Sequence, residues 1–307
     1  MQPFLPLQSN HLYSVFFAPR GNVRMTTLGM QIAQQYLSPF DRLIGVIGEA
    51  GSGKSMLVKG MFPGLELCND DEGVNVRPLP ILNIDENSFY SAHTYHLDIR
   101  FESAFHQMHI LADAIVNAVN LGKRVVVEHF ELIYPFIKMN AKLLIGIGEE
   151  VIITRPTLFG PLPEDVAKIV TRSVRYRKMA HTAEDLCEYC FPPGLEGTFF
   201  HGDVKHGFYL GFDEKPDLDL DQLERSVQNM IDQDIPISFY DDEHILIGDE
   251  VHWCTGPRIH VRTTGEIENF RLIKQFYRDP MNGKYLMVAM VGEEWNYKES
   301  DINQISF

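Results

Sequence analysis

The segment LIGVIGEAGSGKS, residues 43–55, constrains this chain more than any other. Gly48, Gly51 and Gly53, followed by Lys54 and Ser55, fit G-x-x-x-x-G-K-[ST]. In that pattern glycines let successive backbone N–H groups turn inward on a polyphosphate, and the following helix adds its positive end. Chance produces the pattern in a chain of this length about once in a hundred. An apolar run precedes the loop and a helix-compatible segment follows it. A strand, loop and helix in succession predict an α/β domain with a mainly parallel sheet. Lys54 would reach the β- and γ-phosphates of ATP, and Ser55 would bind its Mg²⁺.

Such a loop needs a carboxylate near the Mg²⁺, normally at the end of an apolar strand. RVVVEHFE supplies Glu128 directly after Val127, with Glu131 further on; the competing reading of Glu128 is a solvated strand end. LELCNDDEG brings Asp70 and Asp71 just beyond the loop's helix, either as a general base for a substrate hydroxyl or as a plain acidic turn. On these residues the first part resembles uridine-kinase-type P-loop proteins. In that family an Asp stands at this place and a Glu-Gly pair ends the later strand, so the match is Asp70 or Asp71 and Glu128, with His129 replacing the glycine. The resemblance implies phosphate transfer to a small molecule, although no nucleoside-binding motif accompanies it.

The length of 307 residues is about twice that of an ordinary domain, which predicts two. Periodicity breaks in RPTLFGPLPED, where Pro156, Gly160, Pro161 and Pro163 crowd together, so the expected domains are 1–160 and 161–307. Within the first, apolar spacing predicts a helix from Met108 to Val119, a strand over Val125–Val127 and another strand-like run from Leu143. In the second, Leu220, Leu223, Val227 and Met230 or Ile231 predict an amphipathic helix capped by Asp219 or Asp221. Several strands follow between His260 and Val291, making this half α+β.

With 42 acidic and 27 basic residues the net charge is −15, so nucleic acid would be repelled except at a local basic patch. Candidates are Lys168, Arg172, Arg175, Arg177 and Lys178, with Tyr176 for stacking, and Arg258, Arg262, Arg271, Lys274 and Arg278. A solvated helix face or a domain interface would look the same. No DNA-binding motif occurs. The start lacks a basic leader and nowhere do 18 apolar residues run together, which predicts neither export nor a membrane span and suggests the cytoplasm.

His181 and Asp185 are four apart, on one face of a helix, and Cys254 and His260 flank a Gly-Pro loop. A His, Asp, Cys, His set would suit Zn²⁺: four protein ligands make a structural site, whereas three with water could attack an ester carbonyl. In chain order MAHTAEDL, GTFFHGDVKHGFYLGFD, LERSVQNMIDQDIPI and CTGPRIHVRTTGEIENFRLIK occur as in one known module. Over roughly residues 175 to 292 the chain is similar to the second additional domain of threonyl- and alanyl-tRNA synthetases, part of their editing region. That resemblance implies metal ligands at His181, Cys254 and His260, a tRNA acceptor end as partner, and substrate contacts at His201 and His206. Two departures stand out: Asp185 replaces a histidine, and five rather than three residues separate Cys254 from His260. Cys187 and Cys190 read as buried cysteines rather than ligands.

Three expectations follow: an ATP-dependent protein of aminoacyl-tRNA quality control, a small-molecule kinase using Asp70 or Asp71, and a nucleotide-switched binding module without turnover.

Overall fold

The computed structural model describes residues 13–65, 67, 78–84, 93–195, 197, 199–293 and 301–303. They form two compact units. One takes the described residues up to Ala18 and those of Asn22–Arg172; the other takes Pro19–Gly21 and the described residues from Ser173 onward. The units therefore part at Arg172, beyond the proline-rich break, and a three-residue piece near the start belongs with the later half.

The first unit contains β1 (Tyr13–Phe17), α1 (Asn22–Tyr36), β2 (Leu43–Gly48), α2 (Lys54–Met61), β3 (Thr94–Asp98), α3 (Ile99–Glu102), α4 (Met108–Asn120), β4 (Arg124–Glu128), α5 (Phe130–Ile137), β5 (Leu143–Ile147), β6 (Glu150–Thr154) and the first part of α6 (Pro163–Tyr189). Its sheet runs β1-β6-β5-β2-β4-β3. Strand β2 is parallel to β4 and β5, and β3 to β4, but β6 is antiparallel to both β5 and β1. The expected mainly parallel sheet is thus corrected to a mixed one. The physical reason lies in the run from Leu143. It is not one strand but a hairpin that reverses at Gly148-Glu149, where the Gly148 N–H donates to the Glu150 carbonyl at 2.8 Å.

Alternate residues of β2 enter two different cores, which is why LIGVIG is buried on every residue. Leu43 and Ile47 pack with Leu111, Ile115, Phe130 and Ile133 of α4 and α5, whereas Ile44 and Val46 pack with Ile32, Leu57 and Val58 of α1 and α2. Helices α1 and α2 meet at glycines. A Cβ on Gly29 would lie 2.3 Å from the Leu57 carbonyl oxygen, and one on Gly60 would lie 2.1 Å from that of Thr26.

The second unit holds the rest of α6, β7 (Phe199–Val204), β8 (Gly207–Phe212), α7 (Leu220–Asp232), β9 (Ile237–Asp241), β10 (His244–Ile247), β11 (Glu250–Trp253), β12 (Arg271–Leu272), β13 (Tyr277–Arg278) and β14 (Tyr285–Met290). All its described strand pairings are antiparallel, in one sheet ordered β12-β14-β8-β7 with β13 beside β14, and a smaller one ordered β11-β10-β9. Asp219 caps α7 by accepting from the N–H groups of Asp221 and Gln222. Leu220, Leu223, Val227 and Ile231 enter one core with Met179, Ala183 and Leu186 of α6. The Thr264-Gly265-Glu266 turn locks the end of α7: the buried Thr264 hydroxyl donates to the Met230 carbonyl at 2.6 Å and accepts from Ile235 N–H at 2.8 Å.

No helix among the described residues is long and apolar enough to cross a membrane.

Candidate functional site

Strand β2 ends at Gly48 and α2 begins at Lys54, so the glycine loop joins the two. Gly51 and Gly53 have φ of +77° and +94°, the left-handed region that a side chain disfavours. At Gly48 a Cβ would lie 2.8 Å from both the Ile147 carbonyl oxygen and Ser52 Oγ. Lys54 is buried; its Nζ donates to the Glu49 carbonyl at 2.9 Å and stands 4.0 Å from Glu128 Oε2. Glu128 reaches this place because β4 runs parallel beside β2, in register with Val46.

Burial alone would raise the Glu128 carboxyl. A 3.0 Å contact with His96 Nε2, the charges of His96 and Lys54 and a hydrogen bond from Ser55 outweigh burial and hold it below its ordinary range. Gly48, Gly51, Gly53, Lys54, Ser55 and Glu128 therefore come together; Asp70 and Asp71 lie outside the described residues. His129 adopts φ of +55°, a left-handed conformation that glycine takes freely and other residues rarely. Sequence reasoning missed His96, whose partner is 32 residues away. The glycine cradle, a cation beside it and a buried anion fit Mg·ATP.

The second constellation is a buried polar cluster within the other unit. Asp185, Cys254 and His260 offer donor atoms within 4.8 Å of one another. His260 Nε2 lies 2.7 Å from Asp185 Oδ2 and 3.7 Å from Cys254 Sγ. His181 is not in this donor group, although its backbone carbonyl faces the cluster. Arg20 is there instead. Its guanidinium is 2% exposed and donates through Nη1 to Glu184 and, at 3.4 Å, to the His181 carbonyl; through Nη2 it donates to Asp185 and, at 3.1 Å, to Cys254 Sγ. Burial opposes the charge on Arg20, but Asp185 and Glu184 hold its pKa well above the ordinary value. Burial likewise opposes the Asp185 anion, and Arg20 and His260 reverse that and depress it strongly. Burial and Asp185 push the Cys254 thiol up to about 12, with Arg20 working in the other direction. With Arg20 in this position the donor set does not fit Zn²⁺, because a monovalent cation already holds two of the three donors and the sulfur carries its proton.

Around this centre Glu184, Glu188 and His201 form a second donor group, and Asp185, Glu188 and His252 a third. His201 Nδ1 is 2.8 Å from Glu184 Oε1. Of these the sequence had singled out only His201 and Asp185. Glu184 and Glu188 were legible as an i, i+4 pair on the face of α6 that carries His181 and Asp185, but nothing local pointed to Arg20, 165 residues from Asp185. Cys187 is buried in the apolar core.

Some of the candidate basic residues are less available than their sequence positions suggest, whereas Lys168, Arg172, Arg175 and Arg278 are exposed. Tyr176 is buried and so is not free to stack on a base; Arg177 is buried and bonds the Pro19 carbonyl. Lys274 pairs with Asp221 and Glu224, and Arg258 with Asp242.

No family model matches the chain, and no curated protein does. Among solved structures, Bacillus subtilus YdiB is similar at a TM-score of 0.28 and 17% identity, covering 53% of this chain and 98% of that one. An amino transferase from Eubacterium rectale gives 0.25 and 10%, covering 74% and 65%, and the ornithine aminotransferase of Toxoplasma gondii gives 0.25 and 10%, covering 80% and 68%. At these TM-scores none of the likenesses bears on fold or activity.

Proposed function

We propose that the first unit binds ATP with Mg²⁺ at the loop from Gly48 to Ser55, and that the second recognises the aminoacyl ester at a tRNA acceptor end. The chain would then serve aminoacyl-tRNA quality control, with the cytoplasm as its place of action. The observation that carries the nucleotide half is the junction of Lys54, Ser55 and a buried, anionic Glu128 at the end of the neighbouring strand. Backbone N–H groups of the loop and the start of α2 face the phosphates, and Lys54 leaves the Glu49 carbonyl to meet them. The Ser55 hydroxyl and the Glu128 carboxylate would hold Mg²⁺, whose charge would offset that of the phosphate oxygens. His96 keeps Glu128 ionised.

The recognition half rests on the likeness of its motifs to the synthetase module. Metal-assisted hydrolysis is no part of it, since Arg20 fills the place between the donors. Calorimetric titration with ATP tests the first half: Lys54→Ala weakens binding roughly 10- to 100-fold, and Glu128→Gln removes the dependence on Mg²⁺. Wild-type protein that ignores ATP sinks it. For the second half, protein is mixed with Ala-, Ser- and Thr-charged tRNA at low salt; neither binding nor deacylation of any of them removes the reading.

A further inference from the structure

Among the polar groups of the second unit, the buried Arg20 guanidinium bonds at least one member of each donor group. Four acceptors from two segments close on the Arg20 guanidinium: Glu184, Asp185 and the His181 carbonyl from α6, and Cys254 Sγ from the loop after β11. The piece that delivers it is fitted to that loop. Gly21 has φ of +84°, and a Cβ there would lie 3.0 Å from the Thr255 carbonyl oxygen; a Cβ on Gly256 would lie 3.1 Å from Arg20 Cγ. Position 21 therefore favours glycine on backbone grounds, and the bare Gly256 leaves the Arg20 side chain room to pass.

We propose that Arg20 is the resident cation of the Asp185, Cys254 and His260 cluster, that it excludes divalent metal from the wild-type protein, and that its removal opens a site for a thiolate-binding ion such as Zn²⁺. Charge and donor chemistry support this. A carboxylate, an imidazole and a sulfur within 4.8 Å of one another are a tetrahedral ion's donor set lacking one ligand. The guanidinium meets two of these three donors, Asp185 and Cys254, with hydrogen bonds and carries half the charge of a divalent ion. A buried guanidinium and Zn²⁺ side by side would repel, so occupation is one or the other. The inference is independent of the nucleotide reading and of any catalytic activity.

The experiment uses the full chain, stripped with chelator and titrated with Co²⁺ and Zn²⁺. Thiolate-to-cobalt charge-transfer absorption reports ligation through sulfur, so ions held by the glutamate and histidine groups stay silent. Wild type and Arg20→Lys, which keeps a cation, should give no such band. Arg20→Met should bind one ion with the band, on the order of 100-fold or more tighter than wild type, and Arg20→Met with Cys254→Ser should lose it. Should Arg20→Met unfold without metal, refolding on addition of Zn²⁺ is the expected result. A charge-transfer band lost on Cys254→Ser in wild type or Arg20→Lys overturns the proposal. So does a folded Arg20→Met without the band, or one that neither folds nor refolds with Zn²⁺.

Discussion

Glu188 is the residue whose surroundings suit it least. Burial and the neighbouring Asp185 push its carboxyl up to about 7, with Arg20 and His201 only partly offsetting them. The folded chain therefore holds a proton that the unfolded chain has released from about pH 4.5 upward. Glu188 weakens the fold progressively as pH climbs through that window and by a constant amount above about pH 7. The shift corresponds to about 3 kcal/mol. Glu188→Gln keeps the shape without the charge, so its melting temperature should match wild type near pH 4 and exceed it at pH 8. The lost attraction to His201, 3.5 Å away, works against the gain but is the smaller effect. Equal melting temperatures at both pH values would show that Glu188 is not strained. At this scale the phosphate loop was readable because its chemistry sits in eight consecutive residues. The polar cluster was only half readable, because the arginine that completes it is supplied by a distant segment whose local sequence, Ala-Pro-Arg-Gly, says nothing about its partner.

The elements that set the loop in place are α1 and α2, and their closest contact runs through Gly29 and Gly60. Replacing a helical glycine by alanine ordinarily gains about 1 kcal/mol of helix propensity. Here the new methyl would stand 2.1 Å from a backbone oxygen that cannot rotate away, and overpacking of this kind costs about 1–3 kcal/mol. Gly60→Ala should therefore lower stability in urea, and it should weaken ATP binding because any shift of α2 moves Lys54 and Ser55 at its other end. A variant as stable as wild type would mean that the helices separate freely. Apolar spacing made α4 and α7 legible, since each shows a single clear period along its length, and β4 stood out as a short apolar run closed on both sides by charged residues. The β5–β6 hairpin was not: every residue of LLIGI is buried, as is VIIT after it, so there is no alternation to mark where one strand stops and the next returns. That one reversal changes the sheet from parallel to mixed.

Over the whole molecule the cores divide as the units do. Two clusters cover the faces of the six-stranded sheet, and a third joins α6, α7 and the antiparallel strands. A chain with separate cores need not unfold in one step, so a single melting temperature is not a sufficient description. Scanning calorimetry should resolve two transitions that respond to different perturbations. A ligand that binds only folded protein adds RT ln(1 + [L]/Kd), about 2.7 kcal/mol at a hundredfold excess over Kd. Mg·ATP should therefore raise one transition, and Lys54→Ala should abolish that rise while leaving the other in place. Glu188→Gln at pH 8 should raise the second and leave the ATP-sensitive one unmoved. If ATP instead raises both transitions together in wild type, the two cores unfold as one cooperative body, and ligand in the glycine loop stabilises the buried arginine cluster as well.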